Sequence, residues 1–258
     1  MSINCVRGID LEKSSYHDIK QNSYNLAILP WGAIEPHNYH LPYLTDSILS
    51  HDIAVEAAVE ANAQGAKSIV LPAVNFGSQN VGQHTLPFCI HTRYATQYAI
   101  LCDVVTSLYT QGIKRLLIVN GHGGNNFKNM IRDLTIEKPD FLIATTEWYK
   151  IVKEGDFFEN PGDHAGDLES SAMLHFHPEL IDISTAGNGA SKSFAVESLK
   201  SGKIWTPRNW QKVSNDTGIG DPRSATKEKG ERHIKSVIQE LSKAIVELST
   251  SSELYNND

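Results

Sequence analysis

The sequence predicts an α/β fold, a three-layer α/β/α sandwich with a mostly parallel central sheet. Short runs that are apolar almost throughout alternate with longer segments of helical period. Strands that are apolar on both faces belong to sheets covered by helices on both sides. No linker, internal repeat or low-complexity stretch divides the chain, so residues 1–258 are expected to form one domain, a size sufficient for a large core.

The elements follow in order. NLAILPWG (25–32) reads as a buried strand. SILSHDIAVEAAVEANAQG (47–65) carries Ile48, Ile53, Ala54, Ala57 and Ala58 at helical spacing, with Gly65 as its stop. KSIVLPAV (67–74) is a second strand, and TRYATQYAILCDVVTSLYTQG (92–112) a second helix that ends at Gly112 in the same way. KRLLIVN (114–120) and DFLIATTEW (140–148) are the third and fourth strands, separated by the helical NNFKNMIRDLTIEK (125–138). DLESSAMLHFH (167–177) is a helix stopped near Pro178, and ATKEKGERHIKSVIQELSKAIVELS (225–249) a long C-terminal one. Residues 184–224, rich in Gly, Ser, Asn and Pro and holding two tryptophans, read as a long loop or lid.

Composition removes several function classes. An apolar fraction of 40% with 21% charged residues is that of a globular rather than a disordered chain. A net charge of −7 without any Lys/Arg block argues against nucleic acid as a partner, and the mixed-sign TKEKGERHIK (226–235) is a solvated helix face. Cys5, Cys89 and Cys102 show no C-x-x-C spacing and suit a reducing cytoplasm. The first residues, MSINCVRGIDLEKSSYHD, are charged where a signal peptide is apolar, and no run reaches the roughly 18–20 apolar residues of a membrane span. A soluble, cytoplasmic protein acting on a small molecule is the expectation. A serine hydrolase is not supported, because no G-x-S-x-G elbow is present.

Three clusters carry chemistry. AIEPHNYHLPYLTD (33–46) places Glu35 and His37 on one side of an extended segment just past the first strand, with Asp46 at the mouth of the first long helix. Asp46 also reads as a helix N-cap, in competition with Thr45. LLIVNGHGGNN (116–126) sets His122 among glycines after another strand. Gly121, Gly123 and Gly124 either form a tight turn or let backbone approach a ligand closely. GDHAGDLESS (162–171) supplies His164 in a loop, then Asp167 and Glu169 in the first turn of a helix, where the dipole also favours acids. Ligands collect at the carboxyl ends of strands in open α/β sheets. Should the first and third strands be neighbours, Glu35, His37, Asp46 and His122 meet there. Imidazoles and carboxylates in this proportion suit Zn²⁺, Mn²⁺ or Fe²⁺. Two histidines and three carboxylates suffice for two ions sharing one carboxylate, which activate water while a nearby imidazole protonates the leaving atom.

These residues resemble the creatininase (creatinine amidohydrolase) family. GAIEPHNYHLPYLTD keeps Glu35, His37, His40, Leu41, Pro42, Thr45 and Asp46 of its first signature; NGHGGN (120–125) is its second, HAGDLESS (164–171) its third and GDPRSATKEKG (220–230) its fourth. The resemblance implies an α/β/α domain, a homohexamer, and two divalent ions per subunit acting on C–N bonds of small amides. It implies that Glu35, Asp46 and His122 hold one ion, and that His37 and Asp46 hold the other. Creatininase proper adds a glutamate at the position of Gly124, for which Glu169 is the candidate replacement. His164 matches the family's proton donor, with Glu169 beside it as a catalytic group. Tyr39, His40, His84, Gly123 and Trp148 are expected around the substrate. QHTLPFC (83–89) departs from the family's pocket segment, which points away from creatinine itself. A small cyclic amide or formamide is the leading substrate class. Ring opening of a cyclic polyol ketone or lactone is the alternative, and a metal-stabilised oligomer without turnover is the reading from another class.

Overall fold

The computed structural model describes residues 3–255. Four strands, β1 (Leu26–Trp31), β2 (Ser68–Val70), β3 (Arg115–Asn120) and β4 (Leu142–Glu147), pair in parallel in the order β2-β1-β3-β4. Five helices of ten or more residues accompany them among the described residues: α1 (Thr45–Ala63), α2 (Tyr94–Thr110), α3 (Lys128–Glu137), α4 (Asp167–Phe176) and α5 (Lys227–Thr250). No helix among the described residues is long and apolar enough to cross a membrane.

Side chains alternate along each strand, so every strand feeds two cores. Leu26, Ile28, Val70, Leu117 and Val119 pack on one face with Leu49 and Ile53 of α1, Ala172 and Met173 of α4, and Ile234 and Leu241 of α5. Ala27, Leu29, Trp31, Leu116 and Ile118 pack on the other with Leu101 and Val105 of α2 and Met130 and Leu134 of α3. Helices therefore cover both faces, as the unbroken apolar strands require. The chain leaves β1 through α1 on one face and returns to β3 through α2 on the other. The carboxyl ends of β1 and β3, adjacent in register from Ala27↔Leu116 to Trp31↔Asn120, thus form the crevice where strand order reverses.

Elements differ from the sequence expectation at their ends. The second strand is three residues long, because Pro72 has no N–H for the ladder, and pairing resumes only where Val74 N–H donates to the Pro30 carbonyl. Segment 184–224 is mostly irregular, with short helices at Glu197–Lys200 and Trp210–Val213. GDPRSATKEKG turns out to brace α4. Lys229 Nζ and Ser224 Oγ each lie 2.7 Å from Asp167 Oδ2, and a Cβ on Gly230 would sit 1.9 Å from the Ser171 carbonyl oxygen. Glycine is what lets α5 cross α4 so closely, and α4 carries Glu169.

Away from the crevice, α1 is tied to the end of α4. His177 Nε2 lies 2.6 Å from Asp52 Oδ2, and His51 Nδ1 lies 3.6 Å from Asp52 Oδ1. Burial opposes every charge here, yet these contacts raise both histidines and lower Asp52. The histidines' contribution is complete below about pH 6.5 and is lost as pH rises through their raised folded values. Asp52's part is lost only as pH falls below about 3.8, through its lowered folded value. Asp52→Asn is therefore expected to lower stability by about 1 kcal/mol near pH 6. In urea titrations the gap to wild type should narrow by pH 9; a gap independent of pH would remove the ionic account.

Candidate metal centre

Each ligand-type side chain reaches the crevice by a separate local device. Glu35 and His37 follow β1 in extended backbone. Asp46 is no N-cap: α1 begins at Thr45, its cap Leu44 makes no side-chain bond, and Thr45 Oγ1 donates to the Pro42 carbonyl. The carboxylate of Asp46 is thus free to turn inward from the first helical turn, where the dipole favours it. A Cβ on Gly121 would stand 2.3 Å from the Asp46 carbonyl oxygen, so glycine there lets the start of α1 press against the end of β3. The GHGGN loop is stapled by Asn120 and Asn125. Asn120 Oδ1 accepts from His122 N–H, and Asn125 Nδ2 donates to both Gly32 O and Asn120 Oδ1.

The side chains converge tightly. His122 Nδ1 lies 2.9 Å from Glu35 Oε1 and 3.0 Å from Asp46 Oδ2, while His37 Nε2 lies 3.0 Å from Asp46 Oδ1. Three groups have donor atoms close enough to hold an ion: Glu35/Asp46/His122, His37/Asp46/Glu169 and Glu35/His37/His164. The outer nitrogen of each imidazole is engaged by a backbone carbonyl: His122 Nε2 by Ser78 O, His37 Nδ1 by Glu35 O, and His164 Nε2 by Pro36 O. A proton held on each outer nitrogen leaves the inner one as a lone pair, the orientation typical of metal-ligating histidines. Asp46 Oδ2 is buried without a hydrogen bond despite its imidazole neighbour, as an oxygen aimed at a shared point would be. The donor set fits a divalent ion.

Without an ion, protons must balance these charges. Burial disfavours charge on His37, but Asp46 overrides it and holds the imidazole at about 10. Glu35 and Asp46 likewise raise His122 well above its usual range against burial. Glu169 moves the other way: burial lifts its carboxyl, outweighing His37 and His164. Glu169 Oε2 accepts the Ala165 N–H, and Ala165 adopts φ +50°, a left-handed conformation costing about 1–2 kcal/mol in a non-glycine residue. Strain of this kind gathers at functional sites.

Above the cluster opens a cavity of about 1160 Å³. Glu35, Asp46, His122, Gly123, His164 and Glu169 line it. The other residues expected around the substrate do not. Tyr39 is 65% exposed, with its hydroxyl turned to the Asn215 carbonyl. His40 is buried against Ser170 Oγ, and burial followed by the His37 charge lowers it to about 4, so it joins the loop to α4. His84 faces solvent, while its neighbour Gln83 is buried and donates to Glu35 Oε2. Trp148 is wholly buried beside His233, because a 3-10 turn follows β4 and presents Tyr149 to the cavity instead. Gln83 and Tyr149 were missed by one position each; the only sequence signal was their adjacency to residues already singled out.

Gly124 explains why a glutamate is missing there. Its Cβ would lie 2.0 Å from Ser78 O and 2.5 Å from His122 Nε2, the pair that orients His122. All three motif glycines line the cavity, but only at Gly123 would a Cβ find room, with the Tyr149 hydroxyl nearest at 3.7 Å. Gly124→Ala is expected to cost about 1–3 kcal/mol and to weaken metal retention, since the backbone must shift away from His122. Thermal melts with and without chelator would check this; unchanged metal affinity would mean that Ser78 does not matter to His122.

A buried nest of imidazoles and carboxylates at the switch point of a parallel sheet defines an α/β protein whose clustered side chains can hold a divalent metal. The chain belongs to the creatininase family, whose model, described as creatinine amidohydrolase, matches residues 12–245; it is thus an enzyme of the amidohydrolase type. A crystal structure from Bacteroides fragilis NCTC 9343, provisionally called a creatinine amidohydrolase, is 53% identical, with a TM-score of 0.94 over 96% of this chain and 98% of that one. A mycofactocin precursor peptide peptidase from Mycobacterium ulcerans (strain Agy99) is 27% identical over 231 residues, 83% of this chain and 81% of its own length. Creatinine amidohydrolase from Pseudomonas putida is 22% identical over 241 residues, 85% of this chain and 88% of its own.

Proposed function

We propose that the protein hydrolyses a C–N bond in a small cyclic amide or formamide with two divalent ions (zinc, manganese or iron), which Glu35/Asp46/His122 and His37/Asp46/Glu169 would hold, Asp46 being common to both sets. Asp46 carries this assignment, because its Oδ2 faces Glu35 and His122 while its Oδ1 faces His37, in a group completed by Glu169. Glu169 supplies the carboxylate that Gly124 cannot. When bound, the ions would make water acidic enough to serve as a nucleophile at neutral pH.

The chain's own residues do the rest. Gln83 holds Glu35 Oε2 and so commits Oε1 to the cluster. His164, fixed by Pro36 O and by the edge of Trp210 at 5.3 Å between ring centroids, carries a proton to the leaving nitrogen as the C–N bond breaks. Segment 184–224 acts as a lid, and the enzyme works as a cytoplasmic homo-oligomer, a hexamer as in the family. Protein purified without chelator should carry about two divalent ions per chain. Turnover of a panel of cyclic amides and formamides should release an amine or ammonia. Acid formed without any new amine, from lactones or cyclic ketones alone, would replace the C–N reading by ring opening.

A further inference from the structure

We propose that Trp205 is a stacking platform for a planar, conjugated group on the substrate, carried by an arm of the chain that closes over the cavity. This rests on the C–N hydrolase reading and adds the class of group attached to the scissile amide.

Size comes first. The cavity of about 1160 Å³ exceeds the roughly 300–1,000 Å³ of pockets that enclose drug-sized ligands, so the ligand-type cluster at its base leaves most of it for the remainder of the substrate. Besides the ligand-type residues, the lining includes Trp205, Pro207, Arg208 and Trp210. Trp31 and Trp148 are 0% exposed and Trp210 is 3% exposed, whereas Trp205 is 84% exposed. An indole left open on the cavity wall has a face with no ring or cation stacked on it among the described residues.

The wall is built from flat groups. The His164 and Trp210 rings lie 5.3 Å apart and the Arg208 guanidinium stands 4.9 Å over Trp210, all three residues lining the cavity. A conjugated ring attached to the amide nitrogen would lie along this wall with that nitrogen near His164.

The arm is free to move between fixed ends. Ile204 N–H donates to the Ser198 carbonyl and Trp210 N–H to the Val81 carbonyl, and Arg208 pairs with Asp163. Between these anchors, residues 205–208 make no backbone hydrogen bond among the described residues. Segments tied so sparsely open and shift at low cost.

The test uses a matched pair of probes on the full chain with its metals: formanilide, and N-formylcyclohexylamine, a formamide of similar size with a puckered ring. Calorimetry should show wild type binding formanilide roughly two- to tenfold more tightly. Formanilide should also protect the exposed tryptophan from acrylamide quenching. Trp205→Ala, an exposed position, should erase the preference, and Trp205→Phe should keep most of it. Equal affinities in wild type, a preference that survives Trp205→Ala, or no binding of either probe to metal-loaded protein would each overturn the proposal. A stacking preference with neither amide cleaved would instead count against the C–N reading alone.

Discussion

Asp46→Asn should strip the protein of metal: content measured by plasma mass spectrometry is expected to fall from about two ions per chain to well below one. Asparagine keeps the volume and one oxygen but loses the charge and the second oxygen. Both matter, because Oδ1 lies 3.0 Å from His37 Nε2 and Oδ2 lies 3.0 Å from His122 Nδ1. Two of the three ligand groups contain this residue. Losing a partner that only orients a ligand typically weakens metal binding roughly ten- to a hundredfold, and losing a shared ligand should exceed that. Turnover is expected to drop by at least about a thousandfold, since one substitution removes both ions. The chelated proteins supply a control. There the variant should lose about 3–5 kcal/mol of stability, because His37 and His122 remain buried without their counter-charge. Metal content equal to wild type in folded Asp46→Asn would end the bridging assignment.

What could be read beforehand, and what could not, follows from the range of the interactions. Glu35, His37 and His122 were legible because each follows an apolar strand, and parallel strands end on the same side of a sheet. That β1 and β3 are neighbours could only be assumed from the motifs; the register from Ala27↔Leu116 to Trp31↔Asn120 supplies it. Asp46 stayed ambiguous because a helix start sets cap and first-turn residue one position apart, and α1 begins at Thr45, two residues before the start expected at Ser47. The misplacement of Trp148 has a similar origin. Alternation holds along β4 to Glu147, then a 3-10 turn changes the step per residue, so Tyr149 takes the cavity and Trp148 the core. The motif glycines were read either as a tight turn or as making room for a ligand. Gly121 and Gly124 instead make room for the Asp46 and Ser78 carbonyls, contacts between segments distant in the chain that no local pattern records.

His164→Ala should abolish turnover while leaving both ions in place, a separation that decides between two roles. One role is proton transfer, whose loss costs roughly a hundred- to ten-thousandfold in rate. The other is ligation, since His164 Nδ1 lies 3.8 Å from Glu35 Oε1 and shares a potential ligand group with Glu35 and His37. Geometry favours the first. Glu35 Oε1 is 2.9 Å from His122 Nδ1, nearly an ångström closer than it is to His164, and His122 already completes a group with Asp46. The substitution is also a clean one. The backbone of His164 pairs with Ile219 in both directions, its N–H at 3.1 Å from Ile219 O and its carbonyl at 2.7 Å from Ile219 N, and alanine preserves both bonds. What disappears is the imidazole between Trp210 and the His37 ring. Full metal content with turnover at background would place His164 beside the leaving atom. One ion lost per chain would make it a ligand, and the proton would then have to come from another group on the cavity wall, with Glu169 the first to examine because burial raises its carboxyl.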